Sequence, residues 1–172
     1  MTVGAVWFTG PRQVEVRAGP AAQCPANGLR VRTEVSAISA GTELLFYRGE
    51  LESGISADTS FPQGDVRYPF QYGYASVGRV VEAGPLAPAR LIGSRVFSFH
   101  PHQSEQVDVA SAFLPVPEGI SALAATFAAN LETAVSLVMD GAPLLGERVA
   151  VVGQGVVGQL RSEERRVGKE CA

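Results

Sequence analysis

Lysine is almost missing from this chain of 172 residues: up to Leu160 there are ten arginines and no lysine, and Lys169 stands alone after it. Fourteen basic residues against seventeen acidic ones leave a formal net charge of −3, so no basic face is available for nucleic acid or an anionic membrane. Cysteine is scarce too. Cys24 sits in a Pro/Ala/Gly loop (GPAAQCPANG) and Cys171 lies near the end, which excludes a disulfide framework and a CxxC metal site. The only histidines, His100 and His102, flank a proline in FHPHQ. An H-x-H pair can bind metal, with Glu43 or Cys24 needed to complete the set, but two histidines at a strand end read more readily as solvated loop residues. Apolar runs long enough to span a bilayer are absent, and the start, MTVGAVWFTGPRQ, lacks the charged-then-apolar layout of a signal peptide. The expected location is the cytoplasm, with no membrane and no nucleic-acid partner.

What is present is a globular composition, 46% hydrophobic and 18% charged, enough for one domain with a core. The composition changes abruptly after Leu160. Residues 149–160 read VAVVGQGVVGQL; residues 161–172 read RSEERRVGKECA, with almost nothing apolar where a helix packing on a strand would need it. RSEERRVGKEC resembles the translation of a sequencing adapter. Residues 161–172 are therefore expected to be an artefact, and the protein to be the front part of something larger. Without that segment, which holds four basic and three acidic residues, the net charge becomes −4.

The first half is written in short strands with turn punctuation. Residues 3–8 and 13–17, joined through Thr9-Gly10-Pro11-Arg12, read as a hairpin. Residues 29–35 (LRVRTEV) alternate apolar and polar with period two, as a half-buried strand does. Residues 41–49 (GTELLFYRG) change period and fit one or two helical turns, and residues 51–69 are loop-like. Strand patterns return at 75–83, 95–99, 106–109 and 113–116, pointing to a barrel or sandwich. From Ser121, a plausible N-cap, to Met139 the apolar residues recur at helical spacing, and Gly141 and Pro143 close that helix. Residues 144–147 then turn into 148–152 (RVAVV), a short strand of the buried parallel type.

That strand runs into Gly153-Gln-Gly155-Val-Val-Gly158, a G-x-G-x-x-G pattern. Such a pattern is weak alone and becomes meaningful directly after a buried strand. The first glycine permits a tight turn, the second lets a pyrophosphate approach the backbone, and the third allows close helix–strand packing. Three glycines falling there by chance is the bland alternative in a chain with nineteen of them. The residue about 20 positions further on that reads the ribose lies beyond the break, so NAD and NADP are not distinguished.

With these pieces in order, the chain resembles the medium-chain dehydrogenase/reductase superfamily, the zinc-type alcohol dehydrogenases and their zinc-free relatives. The matching segments are AGTELLFYRG (40–49), YGYASVGRVVEAGP (72–85), IGSRV (92–96), PVPEG (115–119), ANLETAV (129–135) and GERVAVVGQGVVG (146–158). The pair S-x-G-T-E and G-Y-x-S-V-G-R-V is similar in particular to a subgroup that includes the bacteriochlorophyllide hydroxyethyl dehydrogenases. The resemblance implies a mainly β GroES-like barrel over 1–120, a linking helix over 121–145, and the first strand and turn of an α/β Rossmann domain over 146–160. It further implies NAD or NADP as cofactor at Gly153, Gly155 and Gly158, a small-molecule substrate, and a complete protein that is a homo-oligomer.

The departures from the family pattern matter as much. Where zinc members carry a Cys ligand in C-G-T-D, this chain has Ala40; where they carry the His of G-H-E, it has Tyr74; a third ligand position falls at about Ala129. No zinc is expected, because catalytic zinc needs three Cys, His or carboxylate ligands. Without a metal, the developing oxyanion has to be met by hydrogen-bond donors. The resemblance puts Thr42 at the position that relays the alcohol proton and Tyr74 at that of the vanished His. Thr42 and Tyr74 are therefore the candidate catalytic residues, orienting and donating to the substrate oxygen. Each has a plainer alternative: Thr42 as the cap of the following helix with Glu43 complementing its dipole, and Tyr74 as packing in a vacated pocket. Loss of zinc favours reduction of an enone or quinone, while the subgroup resemblance favours oxidation of a secondary hydroxyl. The chain as written is expected to bind dinucleotide poorly, since one βα turn is not a Rossmann domain. A stand-alone, non-catalytic barrel serving as a binding module is the second reading.

Overall fold

The computed structural model describes residues 2–50, 67–143 and 148–160. The chain divides into two compact units, Met1–Thr126 and Phe127–Ala172. The first is mainly β. Strands β1 (Thr2–Gly10) and β2 (Gln13–Pro20) form an antiparallel hairpin, with Val6 opposite Val16 and Phe8 opposite Val14. Strands β3 (Gly28–Ser36), β4 (Ser76–Ala83), β5 (Arg95–Ser98), β6 (Glu105–Val109) and β7 (Leu114–Pro115) build a five-stranded antiparallel sheet in the order β6-β3-β4-β5-β7. Helix α1 (Thr42–Arg48) follows β3 in the chain, and the short α2 (Ala122–Ala125) follows β7.

The period-two pattern read in residues 29–35 sets the sheet's inner face. Leu29 and Val31 are buried, and with Val80, Val96 and Phe113 they form one apolar cluster. Burying side chains of this size stabilises by about 1.5–3 kcal/mol each. On the outer side, Arg30 reaches Glu82 at 2.6 Å, and Glu34 takes Arg79 and Arg95 at 2.9 Å each. Gly78 is required where β4 crosses β3, because a Cβ there would lie 2.3 Å from the carbonyl oxygen of Arg32. A second cluster is aromatic: Phe8, Phe46 and Tyr72, with Tyr68, Phe70 and Tyr74 packed against it.

The helix expected without interruption from Ser121 to Met139 is two helices. Ser121 does cap the first, its Oγ accepting from the Ala124 N–H at 3.1 Å. The Thr126 hydroxyl then donates back to the Leu123 carbonyl at 2.7 Å and closes that turn, and α3 (Ala128–Gly141) starts afresh after Phe127. Local hydrogen bonding of this kind competes with helix continuation even where apolar spacing runs on. In the second unit, α3 ends on Ala142 in the left-handed conformation, one residue before Pro143. Residues 148–154 carry no β-ladder among the described residues, and Val152 is 98% exposed, so the strand expected at 148–152 is not formed as such. A strand of that apolar character needs neighbours on both sides. Residues 156–160 are helical. The turn expected at 144–147, the tail 161–172 and all but the last three residues of the loop expected at 51–69 lie outside the described residues. No helix among the described residues is long and apolar enough to cross a membrane.

Candidate functional site

His102 is the hub of the first unit's polar interior. Its backbone is tied on two sides: the Val6 N–H of β1 donates to its carbonyl at 2.9 Å, and its own N–H donates to the Tyr72 carbonyl at 3.4 Å. Its ring is buried and bonded at both nitrogens, Nδ1 to Ser36 Oγ at 2.9 Å and Nε2 to Glu43 Oε2 at 2.8 Å. The other Glu43 oxygen accepts from the Ser39 N–H at 3.0 Å. Glu43 itself is only 3% exposed. Nε2 thus faces a carboxylate oxygen, and Nδ1 meets a hydroxyl that can donate or accept. The expectation that the histidines are solvated loop residues is therefore overturned: the segment after β5 folds inward because β1 supplies its backbone partners.

Gly73 makes the close packing at this hub possible. It adopts φ +149°, and a Cβ there would lie 3.0 Å from the His102 ring and its backbone nitrogen. The two candidate catalytic residues each flank a partner of His102 in sequence. Thr42 precedes Glu43, and Tyr74 follows Gly73. Thr42 is exposed at the first position of α1, whose N-cap is Gly41 with no side-chain cap bond. Its alternative role as the helix cap is thus excluded. Tyr74 is half-buried, its ring 6.0 Å from that of Tyr72, so it does contribute packing.

His100 belongs to a separate neighbourhood. Its ring stacks on Phe113 at 5.3 Å, and Nε2 lies 3.1 Å from Asp108 Oδ2. Burial pushes its pKa below the usual histidine value, with Asp108 opposing the shift. The two histidines aim at different partners, and among the described residues no three His, Cys, Asp or Glu side chains are grouped as metal ligands. Cys24 is half-buried and carries a free thiol. Ser36, His102 and Glu43 have the composition of a nucleophilic triad. However, the nearest N–H after the serine, that of Ala37, is taken by the Ala75 carbonyl at 2.9 Å, which leaves it unavailable to an oxyanion.

Sequence reasoning grouped Glu43 with the histidines only as possible metal ligands and missed Ser36 and the direct Glu43–His102 hydrogen bond. One signal was present: Glu43 and Phe46 stand three apart in α1, a spacing that shares a helix face, and both are buried.

The glycine turn lies in the second unit. Gly153 takes φ +90°, which favours glycine, and open space surrounds the place where a Gly155 Cβ would be. At Gly158 a Cβ would fall 2.1 Å from the Gly153 carbonyl oxygen. Gly153 and Gly158 thus meet within one turn, and Gly155 stands in the open, without the strand that was expected to lead into them.

No protein-family model and no curated protein sequence matches the chain. Its fold does match solved structures. With 2R,3R-butanediol dehydrogenase from Bacillus subtilis the TM-score is 0.79 at 17% identity, covering 96% of this chain and 55% of the other. With a short chain alcohol dehydrogenase from E. coli CFT073, solved in complex with NADH, it is 0.75 at 16% identity, covering 93% and 52%. With galactitol-1-phosphate dehydrogenase from Escherichia coli it is 0.75 at 13% identity, covering 95% and 52%. The fold is that of alcohol dehydrogenase-like proteins, and the chain spans about half the length of the structures it matches.

Proposed function

We propose that the chain is the front part of a nicotinamide-dependent medium-chain oxidoreductase that moves hydride between NAD or NADP and a small-molecule alcohol, carbonyl or activated alkene. The observation that carries this is the fold likeness to dehydrogenases over 93% of the chain or more. The glycine turn is in keeping with it, because Gly153 takes a φ that favours glycine, Gly155 is open to approach and Gly158 packs closely on Gly153. Those three backbone positions would hold the cofactor, which when bound supplies or accepts the hydride.

The first unit's part is to receive the substrate oxygen. Thr42 offers an exposed hydroxyl from the start of α1, and Tyr74 offers a phenol next to Gly73. Donation from both stabilises an oxygen gaining negative charge and supplies its proton in the reducing direction. Zinc does not fit the positions where the resemblance would put it: Ala40 and Ala129 offer no side-chain donor, and Tyr74 offers only a phenol. No step is assigned to a metal. The closer kinship proposed is with the bacteriochlorophyllide hydroxyethyl dehydrogenase subgroup.

The test begins by resequencing the gene past the codon for Leu160. The product of the complete frame is then mixed with NADH or NADPH and a panel of ketones, enones and quinones. Loss of reduced-nicotinamide absorbance with at least one class is expected. A folded product that neither binds nor oxidises either cofactor would refute the proposal.

A further inference from the structure

Helix α1 has seven residues, so its placement depends on what its first turn is tied to. That tie is Glu43, held at both oxygens by Ser39 and His102. His102 in turn is fixed to β1 and to the Tyr72 carbonyl, and its ring lies against Gly73. A polar line from Thr42 to Tyr74 therefore runs through Glu43, His102 and Gly73, beside the aromatic contact of Phe46 with Tyr72 at 4.4 Å. We infer that His102, with Glu43 and Ser36, is the positioning unit of the oxidoreductase site, setting the separation of the Thr42 hydroxyl and the Tyr74 phenol. This rests on the roles proposed for Thr42 and Tyr74.

The chemistry suits a fixed spacer. The ring is held at both nitrogens, Nδ1 by the Ser36 hydroxyl and Nε2 by the Glu43 carboxylate, so it can neither turn nor slide without breaking a buried hydrogen bond. The network's hydrogen bonds run among Ser36, Ser39, Glu43 and His102, so its influence on Thr42 and Tyr74 is one of position.

The test is made on this chain by following the Thr42 methyl and Tyr74 ring resonances. His102→Ala should shift both. His102→Gln, whose amide can still donate to Glu43, should restore most of the wild-type pattern. Leu29→Ala, which hollows the other cluster, serves as control and should leave both in place. Unmoved resonances in His102→Ala, or equal shifts in Leu29→Ala, overturn the inference. Should His102→Ala not fold, Ser36→Ala takes its place with the same expectation and the same refuting result. In the complete enzyme, His102→Ala should lower kcat about 10- to 100-fold at unchanged KM for the nucleotide. A wild type without turnover sinks the proposed function, while the resonances still judge the positioning unit. Turnover that survives His102→Ala sinks the positioning unit alone.

Discussion

Removing the His102 imidazole should cost far more stability than neutralising its partner. In His102→Ala, Glu43 Oε2 loses its donor at a position only 3% exposed, and the remaining bond from Ser39 serves the other oxygen. Breaking a buried pair in this way costs about 3–5 kcal/mol. Glu43→Gln is different. The Gln oxygen keeps the Ser39 bond, its amide donates to His102 Nε2, and the ring shifts its proton to Nδ1, where Ser36 Oγ accepts it. No buried charge is left without a donor, so the loss should be smaller, about 1 kcal/mol. Urea unfolding at neutral pH, followed by the fluorescence of Trp7, the only tryptophan, measures both. Equal losses in the two variants, or less than about 1 kcal/mol in each, would refute the buried-pair reasoning.

Other consequences are as direct. Because burial lowers the His100 pKa below that of the unfolded chain, the unfolded state binds more protons between the two values. Stability should therefore rise as the pH climbs towards about 6.5, and His100→Phe should flatten that slope in thermal melts taken across the range. Gly73→Ala places a Cβ 3.0 Å from the His102 ring at φ +149° and should cost about 1–3 kcal/mol in the same urea assay. Gly158→Ala should weaken dinucleotide binding by the complete protein at least about tenfold in a fluorescence titration, since its Cβ would fall 2.1 Å from the Gly153 carbonyl. Thr42→Val and Tyr74→Phe should each lower kcat about 10- to 1,000-fold in steady-state kinetics, with little change in unfolding midpoint.

The sheet was legible because its signals are local. Alternation in residues 29–35 and the Gly-Pro-Arg turn after Thr9 fix β3 and the hairpin without reference to the rest of the chain. The glycine turn is local too, since Gly153 and Gly158 meet across a single turn. The break at Thr126 was not, because the apolar spacing continues through it while one hydroxyl decides the outcome. Glu43 and His102 are 59 residues apart, and their meeting depends on β1 binding the segment after β5. No periodicity encodes such a contact. The strands of the first unit thus followed from pattern, whereas the break at Thr126, the absent strand at 148–152 and the polar hub of the candidate site depended on the tertiary arrangement.

The most direct test of the proposed chemistry is hydride transfer by the product of the complete gene, using NADH and NADPH deuterated at the transferring nicotinamide carbon. Deuterium is expected on carbon in the reduced carbonyl or enone, with transfer slowed in both Thr42→Val and Tyr74→Phe. A folded product that transfers no deuterium to any carbonyl or enone and oxidises neither cofactor with a quinone, or transfers it at full rate in both variants, would contradict the proposal.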